Sequence, residues 1–503
     1  CSINTSPVHA RHYKFKSLPM KKISRDSSSS SPNGVLGGSS KLAPGESKID
    51  VIRHVLTFLK EHGFESARKE LERESGVKSM TESSSTDKSG YLLSAITVYR
   101  EFLNSKDDSK QDVKASEERK LEEELVNPKG GPLKPVSKPR ISQARHTSNI
   151  IDVRFCEREE FQNIVSSVDV RGNIKMTEIS TGKSRVCLSG GMSTFKAPVL
   201  SMDFNPKNNL LAVGCMNGGH YVLDVELPDC SKSDLFTEER DVLEISPTII
   251  SKFSKHGKYV NRVRWNSKGT LLATCSYDQE VRLYSVDEKK YQEQHQQQEE
   301  KQEEEEKGGG EKGKEKEEDV EGCCCLLERF PFRRGVECVE WGRGSTAHIL
   351  YVSLQSDNYI HTIDTKTMKK GQRFNMNSFG DDHVSFSALD LNSSKDGKYL
   401  LVATDKDRAI MFASGTEKQV RNFYGADSGQ YFNPRAVLNT NQSVAYASSY
   451  DNTIVAWDVA SQRVLTKLSG HKKMIRSLHM HPKSNILVSG SYDKTVRIWD
   501  EQS

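Results

Sequence analysis

Gly182-Lys183-Ser184 has the ending of a phosphate-binding loop, in which backbone N–H groups cradle the phosphates and the Lys neutralises them. That loop also needs a Gly five positions before its second one, and Thr177 stands there. The segment reads as a turn between strands with no helix behind it, so nucleotide chemistry is not expected. Cys323, Cys324 and Cys325 are adjacent thiols. Zinc requires spaced pairs with further ligands, so the three read as part of a buried outer strand, with acylation or redox sensing as the alternative. The 14 His are dispersed, and neither His-Glu-x-x-His nor Gly-x-Ser-x-Gly occurs. The glutamates after Asp287 lie in a flexible run that cannot hold two carboxylates at a fixed separation. No catalytic residue, cofactor or metal site is expected.

What remains is a surface. Tyr277, Tyr450 and Tyr492 each precede a turn Asp, and Lys258, Arg334, Lys473 and Ser356 lie in neighbouring loops. Aromatic and Arg side chains dominate peptide hot spots, although Tyr-Asp is also a common form of this turn. From about residue 138 onward the texture is β, with short apolar runs, turn residues and no long helical period. SSYDNTIVAWD ends at Asp458 and SGSYDKTVRIWD at Asp500, an offset of 42 residues. Further copies surround Asp278, Asp357 and Asp407. Weaker ones carry Asn217 and Arg171 at the Asp position, which makes seven copies in all. All four Trp (Trp265, Trp341, Trp457, Trp499) fall at repeat positions.

These copies resemble the WD-repeat family over about 360 residues of the chain. The resemblance implies a mainly β fold, a seven-bladed propeller over 138–503. It also implies a buried hydrogen-bond chain in each complete blade, here His471, Ser489, Asp493 and Trp499, with Asp451, Trp457 and Asp278 at matching positions. Blades 1, 2, 4 and 6 lack the His. Blades 3 and 5 have approximate versions in His256 and His383, so these blades are expected to lean more on apolar packing. The segment Pro139 to His146 is expected to supply the missing outer strand of blade 7 and close the ring. The loops carrying Tyr277, Tyr450, Tyr492, Lys258, Arg334 and Lys473 then face the channel entrance.

Residues 1–46 form a basic, Ser-rich tail expected to be disordered. Residues 47–105 change character. Ile52, Val55, Leu56 and Leu59 recur at three and four positions, Gly63 suits a C-cap, and Phe64, Ala67 and Leu71 line a second short helix. This part resembles a LisH motif, which implies homodimerisation through Ile52, Val55, Leu56, Leu59, Phe64 and Leu71; a helical hairpin packed on its own chain is the other reading. Residues 106–137, charged and then rich in Pro and Gly, read as a linker. The stretch 287–322, with 15 acids and seven Lys, reads as a disordered acidic insert in blade 3, before an outer strand Cys324 to Phe330.

Composition closes off other classes. Over 503 residues the net charge is only +4, so nucleic acid is expected as an indirect partner at most. No apolar run reaches the ~18 residues of a membrane span. Unpaired Cys spacing points to an intracellular chain, cytoplasmic or nuclear. The expected function is a non-enzymatic scaffold that binds partner proteins. The alternatives are a subunit of an RNA-processing or transcriptional corepressor complex, and a substrate receptor of a ubiquitin ligase.

Overall fold

The structure is a computed structural model. It describes residues 116 and 119–501 apart from 226–247, 294–321 and the short stretches 129–130, 143–144, 190, 378–379, 381 and 430–431; before 116 it describes Leu56 and Glu72. The chain divides into two units, 1–115 and 116–503. In the first, Leu56 is helical and fully buried; Ile52, Val55, Leu59, Phe64 and Leu71 lie outside the described residues. No described helix is long and apolar enough to cross a membrane.

The second unit holds seven four-stranded antiparallel sheets. Blades 1 to 6 span 150–188, 199–252, 260–331, 336–375, 388–424 and 436–468, and blade 7 is 475–500 plus 138–141. The inner strands are largely buried, because each faces its own blade on one side and a neighbouring blade on the other. Ile150–Phe155, Val260–Trp265 and Val336–Trp341 show this pattern. The core is therefore shared between blades. Val260, Val263 and Trp265 of blade 3, for instance, pack with Leu210, Ala212 and Val222 of blade 2.

Ring closure follows the expected logic, on a strand shifted towards the N-terminus. Lys138–Ile141 pairs with Val496–Asp500, with Pro139 opposite Trp499 and Arg140 opposite Ile498. Arg140 also reaches Asp500 at 2.9 Å. The remainder, 142–146, carries His146 into blade 1. The segment expected as a linker is ordered against the ring over much of its second half. Residues 119–126 are helical, Leu125 is buried with Tyr399, Leu401 and Met411, and Glu122 grips Arg421 with both oxygens. Beyond it, Leu133 N–H donates to Ser443 Oγ at 3.1 Å and Val136 N–H to Tyr446 Oη at 3.1 Å. Three prolines, Pro128, Pro132 and Pro135, suit such a path, since each lacks the N–H that an extended strap would have to pair.

Outside the blades, Gly182-Lys183-Ser184 forms a hairpin turn in which Thr177 Oγ1 meets Ser184 Oγ at 3.0 Å. Blade 3 ends in Cys324–Pro331, with Cys323 and Cys324 buried and Cys325 exposed. At the start of the acidic insert, 288–293 is helical; the bulk of it, 294–321, lies outside the described residues.

Candidate interaction surface

Rigid loops need anchors, and the blades supply them through buried histidines. In blade 7, His471 Nδ1 lies 2.9 Å from Asp493 Oδ2 and His471 Nε2 lies 2.7 Å from Ser489 Oγ. Trp499 Nε1–H donates to the same Ser489 Oγ at 2.8 Å. Asp493 also accepts from the N–H groups of Lys472 and Thr495. Blade 3 repeats the arrangement more closely than its sequence suggests: His256 sits 2.8 Å from Asp278 and 2.9 Å from Thr274. Both Asp carboxyls lie well below the usual carboxylate range, because their His and backbone partners outweigh the burial that would raise them.

Four blades correct the sequence reading. Blade 1 does have a His: His146 meets Ser167 at 2.8 Å and Asp169 at 3.3 Å. Asp169, two residues before Arg171, takes the turn role and accepts from the N–H groups of Arg171 and Asn173. In blade 4 Asp357 is held by His361, from the strand after the turn, at 2.9 Å. In blade 5 His383 is exposed and lies against Ser385, while Asp407 accepts from Ser428. Asp451 and Trp457 of blade 6 are not joined: Asp451 holds Thr453 and Lys467, and the Trp457 indole N–H donates to Tyr424 O.

At blade 3 the Trp position is held by Tyr284, whose hydroxyl meets His220 Nε2 of blade 2 at 2.7 Å. His220 is stacked on Phe253 at 4.9 Å, and burial pushes it down to about 3. Its folded value lies below the ~6.5 of an unfolded His, so it is neutral in both states above that pH. Below ~6.5 the unfolded chain takes up a proton that the folded chain refuses, and stability is lost as pH falls. The stability gap between the native chain and His220→Phe should therefore shrink between pH 7 and pH 5 by about 2 kcal/mol. Paired urea midpoints measure it; a gap that stays constant contradicts a buried neutral His220.

The loop residues singled out in the sequence all lie at one end of the strands, either between second and third strands or just before an inner strand. Tyr277 stacks on Tyr259 at 4.9 Å and 21°, with Lys258 Nζ 5.8 Å from its ring centre. Its ring lies against Gly335, where an added Cβ would come within 3.0 Å. Burial, with Glu337 beside it, pushes the Tyr277 phenol up to about 12. Arg334 is exposed and donates to the carbonyls of Ser356 and Gln355. The Lys258 and Lys473 carbonyls are clamped alike, by Ser276 Oγ at 3.1 Å and Ser491 Oγ at 2.9 Å. Tyr450 is 53% exposed against Phe432, and Tyr492 is half-buried. Blade 3 thus forms a compact Tyr–Tyr–Lys platform; Tyr450 stands on blade 6 and Tyr492 on blade 7.

The channel behind these loops is filled by charge, which the repeat pattern did not reveal. Asp390 accepts from Arg262 at 2.7 Å and from Arg435 at 3.0 Å, linking blades 3, 5 and 6. Arg264 faces Glu340 at 3.5 Å. Burial pushes Asp203, which accepts from Trp265 N–H at 2.8 Å, up to about 8. His256, Asp278 and Glu280 have a metal-like grouping, but Arg282 already supplies the cation there, 3.0 Å from Glu280.

The family model "WD domain, G-beta repeat" matches residues 247–285 and 462–500. These are the repeats of blades 3 and 7, where the His bridges the turn Asp and a strand hydroxyl in the order that the motif describes. Among curated proteins, the chain is 28% identical over 110 residues to a "WD repeat domain-containing protein 83 homolog" of Dictyostelium discoideum, covering 20% of this chain and 34% of that protein. It is 32% identical over 130 residues to "Nuclear distribution protein nudF" of Aspergillus terreus, covering 22% and 29%. It is 26% identical over 117 residues to "Set1 complex component swd2" of Schizosaccharomyces pombe, covering 22% and 31%. Each alignment thus spans about a third or less of the relative's length. The matched repeats and the ring of seven four-stranded sheets agree: this chain carries WD40 repeats and folds as a seven-bladed β-propeller.

Proposed function

We propose that this chain is a non-enzymatic scaffold that binds partner proteins through the loop face bearing Tyr277, Tyr450, Tyr492, Lys258, Arg334 and Lys473. The observation that carries the reading is the blade 3 platform, where Tyr259, Tyr277 and Lys258 form a rigid aromatic and cationic surface on clamped loops. Such groups bind with little loss of side-chain freedom, because the protein has already ordered them. The relative named as a Set1 complex component fits a role as a complex subunit. Residues 47–105 add the second half of the proposal: a helical dimerisation module, as the resemblance to a LisH motif implies, whose helix carries the buried Leu56. Two linked propellers would turn two weak contacts into one strong one through effective concentration.

Light scattering on the full chain tests the dimer. A mass of two chains that falls to one in Leu56→Asp is expected; a native monomer at high micromolar concentration contradicts it.

A further inference from the structure

The opposite end of the channel holds a different chemistry. There the turns that follow the inner strands of blades 1, 4, 5, 6 and 7 surround a small depression of about 60 Å³, lined among others by Glu157, Arg343, Asn392, Lys395, Thr440 and His479. Glu157 and Arg343 bridge blades 1 and 4 across its floor in a two-pronged pair, at 2.5 and 3.1 Å. That pair consumes the only carboxylate among the lining residues. Lys395 forms no ion pair among the described residues, and Glu157, the carboxylate acting on it, is already paired with Arg343, so the lining carries one cation in excess.

The neutral groups point the same way. His479 Nδ1 accepts the Phe155 N–H at 3.0 Å. Accepting at Nδ1 fixes the proton on Nε2, so the ring offers a donor. Burial pushes His479 down to about 3, which keeps it in that neutral, donating form at physiological pH. Asn392 adds an amide and Thr440 a hydroxyl. A cation and neutral donors from several blades lining one depression, whose one carboxylate is already paired, match the recognition of carboxylate and phosphate oxygens.

We propose that this depression binds an oxyanion, carried as a carboxylate or a phosphoryl group on a larger ligand, with Lys395 as its counter-ion and His479 and Asn392 as hydrogen-bond donors. The site is independent of the Tyr277 face, since it lies at the other end of the strands.

Thermal unfolding of the full chain tests it with two probes, sulfate for a phosphoryl group and the peptide acetyl-Gly-Glu-Glu-Gly-amide for carboxylates. Sodium chloride at matched ionic strength is the reference. The melting temperature should rise with at least one probe, growing logarithmically once its concentration passes a Kd on the order of 1 mM, as expected for a single anchored charge. The probe whose rise sets in at the lower concentration identifies the source. Lys395→Ala should weaken the effect about tenfold, the loss of one charge-assisted bond, and Lys395→Arg should retain it. Lys395 is exposed, so neither variant threatens the fold. No rise above chloride with either probe, or the same curve in Lys395→Ala, overturns the proposal.

Discussion

Asp390→Ala is expected to be the most damaging single substitution in the channel, costing about 3–5 kcal/mol. The carboxylate is buried and accepts from Arg262, Arg435 and the Ala436 N–H at once. Burial raises its pKa despite the two guanidiniums, which shows how costly the site is for charge. Removing it leaves two buried cations facing each other across blades 3 and 6 with no anion between them. The penalty comes from those stranded charges rather than from the lost bonds. Asp390→Asn keeps an acceptor oxygen and should lie between the native chain and the Ala variant. Urea midpoints of the three proteins decide the matter; an Ala variant within 1 kcal/mol of native would mean that the channel charges are solvated.

The second large effect is a contrast between equivalent positions. Asp493→Ala should cost roughly 3 kcal/mol, whereas Asp451→Ala should cost under about 1 kcal/mol. Both residues occupy the turn before a Trp-Asp strand, and the local sequences are nearly the same. Asp493 serves the buried His471, the Lys472 N–H and both the backbone and hydroxyl of Thr495, and it holds the His that orients Ser489 and Trp499. Asp451 serves Thr453 and an exposed Lys467, groups that water can satisfy. Partial networks are worth less than complete ones, because the value lies in leaving no buried donor unpaired. Equal costs at the two positions would show that the turn, not the network, is what matters.

These two cases mark what the sequence could reveal. Repeat spacing showed the blades, the turn Asp of most of them and the need for a strand from the N-terminal side to close blade 7. Those features are local or periodic, so they survive in a linear reading. The substitutes were hidden. Asp169 works from two residues off its motif position, His361 reaches back from the following strand, and His146 lies in a stretch that reads as part of the closing strand. His146 and Asp169 repeat the blade 7 geometry in another chain order, whereas His361 meets its Asp through Nε2 alone. The Arg262–Asp390 pair joins residues 128 apart on different blades, and no periodicity records a contact across a ring. The helix at 119–126 was masked by its charges: its apolar side rests on Leu121 and Leu125 alone, too few to make a pattern. Among the surface residues, Tyr277 and Lys258 are brought together, whereas Tyr450 stands apart against Phe432.

The central claim is that this propeller works by holding partners on the Tyr277 face. Quantitative affinity purification of the full chain tests it most directly, comparing the native protein with Tyr277→Ala/Arg334→Ala/Tyr492→Ala under matched expression. Melting temperatures measured alongside should stay within a few degrees, since all three residues lie outside the buried networks. A defined set of co-purifying proteins should be lost from the triple variant and retained by Lys395→Ala on the opposite face. A triple variant that keeps its melting temperature and its full set of partners would contradict it.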